Sequence, residues 1–160
     1  MALDTTQHKQ IQAFRDSVET YVAREGIGSQ VERLDRPDDS VLSSRFAVGP
    51  HLWYALTLKP FLPQFLAGIA TDDPFRNEDF QQFIRETSLT MPEFVQLGFE
   101  AVGLVWRDPP VHHYRDHENV FYFVTPVDLP SLTVLEEPSI MDKARRMMRG
   151  YHWAFSGRVA

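Results

Sequence analysis

The stretch Arg107–Val124, RDPPVHHYRDHENVFYFV, decides how the chain is read. It holds His112, His113 and His117, three of the six histidines, and runs into Val120-Phe121-Tyr122-Phe123-Val124, the most strand-like segment present. As a helix after Pro110, the stretch would put His113 and His117 at i and i+4 on one face, the spacing with which two imidazoles reach one metal. As a strand, it would send neighbouring His112 and His113 to opposite faces. The favoured reading is a hairpin: Val111–Tyr114 as one strand, Arg115–Asn119 as the turn, and 120–124 as the returning strand. An antiparallel sheet follows from that choice.

The flanking segments are read around this hairpin. Upstream, Thr90 and Glu93 form a capping box ahead of FVQLGFEAVGLVW (94–106), so that run is expected to be a helix, with a long strand as the alternative. Gly98 within it would permit close packing against a neighbour. Residues 77–87 form another helix, burying Phe80, Phe83 and Ile84. The run 63–70, PQFLAGIA, is apolar nearly all round and reads as a short buried helix with Pro63 in its first turn. Residues 41–58 alternate as a β-hairpin, and 30–34 suit a short edge strand. Residues 5–24 carry Ile11, Phe14, Val18, Tyr21 and Val22 on one helical stripe, closed by Gly26 as a left-handed cap. Downstream, 127–138 is a proline-punctuated connection. Ser139 then caps a last helix that turns Ile140, Ala144, Met147 and Tyr151 inward. The expected fold is α+β: a small antiparallel sheet packed with several helices, in a single domain spanning 1–160.

Composition sets the outer limits. With 43% hydrophobic and 24% charged residues in 160, the chain carries enough apolar material for an ordinary core. Cysteine is absent, which excludes disulfides, thiolate zinc sites and cysteine nucleophiles. The opening MALDTTQHKQ does not read as a signal peptide, and no apolar run approaches the ~20 residues that span a bilayer. A cytoplasmic location without membrane association is therefore expected. Arginine outnumbers lysine 13 to 3, read as the base composition of a GC-rich bacterial genome. Residues 1–138 carry 11 basic and 21 acidic side chains, whereas 139–160 carry 5 and 1. The acidic body argues against general nucleic-acid binding, which needs a cationic surface.

Two functional readings follow. The first is a non-enzymatic binding or accessory protein, a protein-partner or oligomerisation module, with a homodimer as one form. Its candidate partner-binding face is the basic side of the last helix: Lys143, Arg145, Arg146 and Arg149. The second is a metal- or small-ligand-binding enzyme that uses His112, His113 or His117 with a nearby carboxylate. His113, His117 and Glu118 would then hold a divalent metal. No phosphate-binding loop, nucleophile elbow or dinucleotide fingerprint is present.

Overall fold

The computed structural model describes residues 2–158. The chain runs through α1 (Thr5–Arg24), β1 (Val31–Asp35), β2 (Leu42–Gly49), β3 (Leu52–Lys59), β4 (Gln64–Thr71), α2 (Pro74–Glu86), α3 (Met91–Ala101), β5 (His112–Arg115), β6 (Phe121–Asp128) and α4 (Pro138–Phe155). The six strands form one antiparallel sheet in the order β1-β2-β3-β4-β6-β5. Helices cover one face of it, as expected for an α+β fold.

The helix-facing rows follow from period-two alternation. Phe46, Tyr54, Ile69, Phe123 and His113 lie opposite one another on successive strands. All but His113 belong to the main core, with Phe14 and Val18 of α1 and Met147, Tyr151 and Phe155 of α4. Phe155 collects four rings, from Phe80 at 5.1 Å, Phe94 at 5.2 Å, and Phe123 and Tyr151 at 5.8 Å each. Each such ring pair contributes about 0.5–1.5 kcal/mol beyond its buried area. Helices α3 and α4 cross at two glycines: a Cβ on Gly98 would overlap the Gly150 carbonyl oxygen. Gly98 therefore permits the close approach expected of it.

The segment expected as a short helix at 63–70 is strand β4. It pairs with β3 over its whole length, from Leu52–Thr71 to Lys59–Gln64, and with β6 from Gln64–Asp128 to Thr71–Phe121. Phe65 through Thr71 are all buried, because β4 has strands on both edges, the core on one face and a second apolar cluster on the other. Burial on both faces removes the alternation that would have marked a strand. β6 also continues past Val124 through Pro126 to Asp128. Proline fits there because β5 stops opposite Val124, so beyond that point β6 has a neighbour only in β4.

Other boundaries shift by a few residues. Asp4 caps α1, in a capping box with Gln7. Glu137 precedes α4 without a side-chain cap, and Pro138 takes the first turn in place of the Ser139 cap. Thr90 and Glu93 form the expected capping box, and α3 ends at Ala101. Gly26 adopts the left-handed conformation, with φ 66°.

One polar network ties α1 to the β1 edge. Arg15, 3% exposed, makes two 2.9 Å bonds to the Asp35 carboxylate. It also donates to the Ser44 hydroxyl and to the Ser43 carbonyl oxygen. Glu19 accepts from Ser44 at 2.7 Å and from Arg33 of β1 at 2.9 Å. β1 has little apolar burial of its own, so these charge-assisted bonds hold it against the helix.

Candidate functional site

The face of the sheet away from the helices carries the site. Its rows are Ser43, Arg45 and Ala47 on β2, then Trp53, Ala55, Thr57 and Lys59 on β3. Leu66, Gly68 and Ala70 follow on β4, and Tyr122 and Val124 on β6. Leu66, Ala70, Tyr122 and Val124 are buried although no helix lies over them. The small residues Ala55, Gly68 and Ala70 leave room above the strands for long side chains to lie flat. Arg45 uses that room: it passes the Trp53 ring at 5.2 Å and donates to the Tyr122 hydroxyl at 3.0 Å, three strands away.

The sheet also coils. Leu34 and Arg36 at the β1 edge, and Tyr114 and Glu118 at the β5 edge, line one cleft of about 440 Å³. In a flat sheet those edges would stand five strand spacings apart, about 24 Å. The floor of the cleft includes Ser43 and Thr57, opposite each other on β2 and β3, with their hydroxyl oxygens 2.9 Å apart. Arg45 lies two residues beyond Ser43 on β2, and Lys59 two residues beyond Thr57 on β3, in the opposite direction because the strands are antiparallel. Along the strands the Arg45 and Lys59 positions therefore lie on either side of the hydroxyl pair, with the Arg45 guanidinium carried across the sheet toward Tyr122.

Two of the three acids at the rim, Asp35 and Asp116, are already engaged. Asp35 is held by Arg15 and by the Ser43 amide. Asp116 accepts the amides of Glu118 and Val120 and so closes the β5–β6 turn. Tyr114 and Tyr122 stack at 5.1 Å. Burial, with Tyr122 and Asp116 close by, pushes the Tyr114 phenol up to about 12. Burial also raises Tyr122, aided by Asp116 and opposed by Arg45. Both phenols stay protonated near neutral pH, so they act as hydrogen-bonding groups and not as bases. The arrangement suits recognition of a polar ligand: donors and hydroxyls converge on a cleft within the size range of small-molecule sites, about 300–1,000 Å³.

No family model, curated protein or solved structure matches the chain.

The histidines divide as the strand reading requires. His112 is exposed on the cleft side of β5, whereas His113 faces the helices. His113 stacks on Phe123 at 4.1 Å, and its Nε2 donates to the side-chain Oδ1 of Asn77 on α2 at 2.8 Å. His117 and Glu118 stand in the β5–β6 turn, 3.7 Å apart, with side chains 74% and 71% exposed. His113 is thus not brought together with His117 and Glu118. Among the described residues no three histidine, aspartate or glutamate side chains converge on a metal position.

The four cations of α4 also diverge. Arg146 donates to Asp142 and to the carbonyl oxygens of Val102 and Gly103, closing the C-terminal end of α3. Lys143 lies over the Trp106 ring at 4.1 Å, and burial lowers its pKa. Arg145 lies beside α1, in a depression shared with Asp16 and Tyr21. Arg149 alone of the four is exposed. Much of the basic face is therefore spent on contacts within the chain.

The residues that sequence reading missed are Ser43, Arg45, Thr57, Lys59 and Tyr122. The alternation at 41–58 does put Ser43 and Arg45 on one face of their strand. Their convergence with Tyr122 depends on the β3–β4–β6 pairing, which the helical reading of 63–70 concealed.

His113 makes the fold sensitive to acid. Burial lowers its pKa from 6.5, so the folded state holds the neutral ring more firmly than the unfolded chain does. Its contribution to stability is complete above pH 6.5 and is lost as pH falls through the lowered folded value. His152 shifts the same way for the same reason. Urea unfolding of the wild type is expected to weaken between pH 7 and pH 5 more than that of His113→Gln, whose amide still donates to Asn77 without titrating. Equal pH slopes for the two proteins would contradict the assignment.

Proposed function

We propose that the chain is a non-enzymatic binding protein whose ligand enters the cleft on the helix-free face of the sheet. The observation that carries this reading is the convergence of Arg45, Lys59, the Ser43–Thr57 hydroxyl pair and Tyr122 on one cleft of about 440 Å³. The cleft has polar recognition groups without a nucleophile held by a base. Its phenols stay protonated, Asp35 and Asp116 are occupied by Arg15 and by turn amides, and Glu118 is exposed beside His117. The cleft is also too small for a folded partner, which favours a small molecule over a protein as its occupant.

The test uses a variant that fills the cleft. Thr57 is half-buried on its floor, so Thr57→Trp occludes the space from a position already open to it. A ligand present at about ten times its Kd adds about 1.4 kcal/mol to stability. The small-molecule filtrate of a cell extract is expected to raise the melting temperature of the wild type, while Thr57→Trp, folded by circular dichroism, does not respond. Stabilisation by the macromolecular retentate alone, or equal responses from the two proteins, would contradict the proposal.

A further inference from the structure

We infer that the cleft recognises a small organic anion, a carboxylate or a phosphate ester, whose charged group docks over the Ser43–Thr57 hydroxyl pair between Arg45 and Lys59. The inference rests on the cleft being the binding site and adds the chemical class of the occupant.

The charge pattern supports it. Neither Arg45 nor Lys59 forms an ion pair with any described residue, although acids outnumber bases 22 to 16 along the chain. Each rim carboxylate is turned to another task. Asp35 is bridged by Arg15, which is itself buried. Asp116 closes its turn, and Glu118 extends into solvent. Glu32, opposite Arg45 on β1, is exposed and makes no ion pair with it, so neither cation of the cleft is paired with a described carboxylate.

The donors support it as well. Arg45 spends Nη2 on the Tyr122 hydroxyl, which leaves Nη1 without an acceptor among the described residues; Nε is also unpaired but is buried away from the cleft. A partly desolvated guanidinium with unused donors gains strongly from an anionic acceptor. Ser43 is 6% exposed, and among the described residues its hydroxyl meets only that of Thr57. One proton serves the contact between them, and the other is available to a third oxygen. A carboxylate or phosphate oxygen completes that set.

The position of Asp116 sets the orientation. Its carboxylate lies near the Tyr122 hydroxyl, at the β6 end of the Arg45 side chain. An anion avoids it by lying on the β2–β3 side, over Ser43 and Thr57, with Lys59 on that side and the Arg45 guanidinium between the anion and Tyr122. The apolar part of the ligand then faces Leu34 and Val41 at the β1 edge.

Calorimetric titration with benzoate, phenyl phosphate and benzamide tests the inference. The first two carry a charge that the third, nearly isosteric with benzoate, lacks. Wild type is expected to bind at least one anion about tenfold or more tightly than benzamide, and the tighter of the two anions identifies the favoured head group. Lys59→Met and Arg45→Met should each weaken anion binding by about tenfold, with Arg149→Met on α4 unchanged. Lys59 lies at the end of its strand, so its replacement remains informative if the Arg45 variant folds poorly. Benzamide binding as tightly as benzoate, with both lost in Thr57→Trp, would overturn the anion class and leave the cleft as the site. Undiminished binding by Thr57→Trp would overturn the cleft itself. The absence of binding by either anion would overturn the inference.

Discussion

Replacing Arg15 by methionine is expected to lower the stability of the folded protein by about 3 kcal/mol. The guanidinium is almost fully buried and meets five acceptor contacts on Asp35, Ser44 and Ser43. Methionine preserves much of the apolar stem but leaves Asp35 without its counter-charge and the buried Ser43 carbonyl oxygen without this donor. Breaking a buried pair from one side costs about 3–5 kcal/mol. The lower end applies because the Asp35 side chain keeps 35% of its exposure and can regain water. The double variant Arg15→Met/Asp35→Leu should recover most of the loss, since the cost lies in the stranded partner more than in the absent pair. Urea denaturation of the two variants separates these contributions. A loss below about 1 kcal/mol for the single variant would show that the network does not hold β1 in place. Because Leu34 and Asp35 form one wall of the cleft, the single variant should also weaken ligand binding.

Gly68→Ala is expected to be at least as damaging. Gly68 lies in the centre of β4, opposite Val124 of β6. A Cβ there would overlap the Phe123 carbonyl oxygen and lie 2.7 Å from the Val124 Cα. Two effects compete. Alanine restricts the unfolded chain, which stabilises by about 0.4–1 kcal/mol where the backbone permits it. Overpacking costs about 1–3 kcal/mol even where flexible side chains can yield. Here the obstacles are backbone atoms of the neighbouring strand, so β4 and β6 must separate. The net loss is expected to be about 3 kcal/mol or more, with Tyr122 displaced from Arg45. Gly157→Ala is the control, because nothing lies within 4 Å of its added Cβ. That variant should remain within about 0.5 kcal/mol of wild type. Equal unfolding midpoints for the two variants would contradict the close approach of β4 and β6.

The parts of the fold legible in the sequence are those set by neighbours along the chain. The capping box of Thr90 and Glu93 is local, and so are the alternation at 41–58, the apolar stripe of α1 and the glycine stop at Gly26. Consecutive His112 and His113 must part in a strand, and they do. β4 was not legible for the opposite reason. A central strand buried on both faces shows neither period two nor period 3.6, and Pro63 at its start imitates a helix entry. Its identity depends on β6, more than fifty residues later. The cleft inherits the same difficulty, since it exists only once β2, β3, β4 and β6 are in register and the sheet has coiled. The histidine cluster, conspicuous in sequence, divides among a helix contact, an exposed strand position and a turn.

The most direct measurement of the binding claim is an amide shift map, recorded by ¹⁵N–¹H NMR as phenyl phosphate is added to the wild-type protein. The largest changes are expected on residues 43–45 of β2, 57–59 of β3 and 116–118 of the β5–β6 turn, with the Trp53 indole moving alongside. Changes centred on Lys143–Arg149 of α4, with residues 43–45 and 57–59 unmoved, would contradict it.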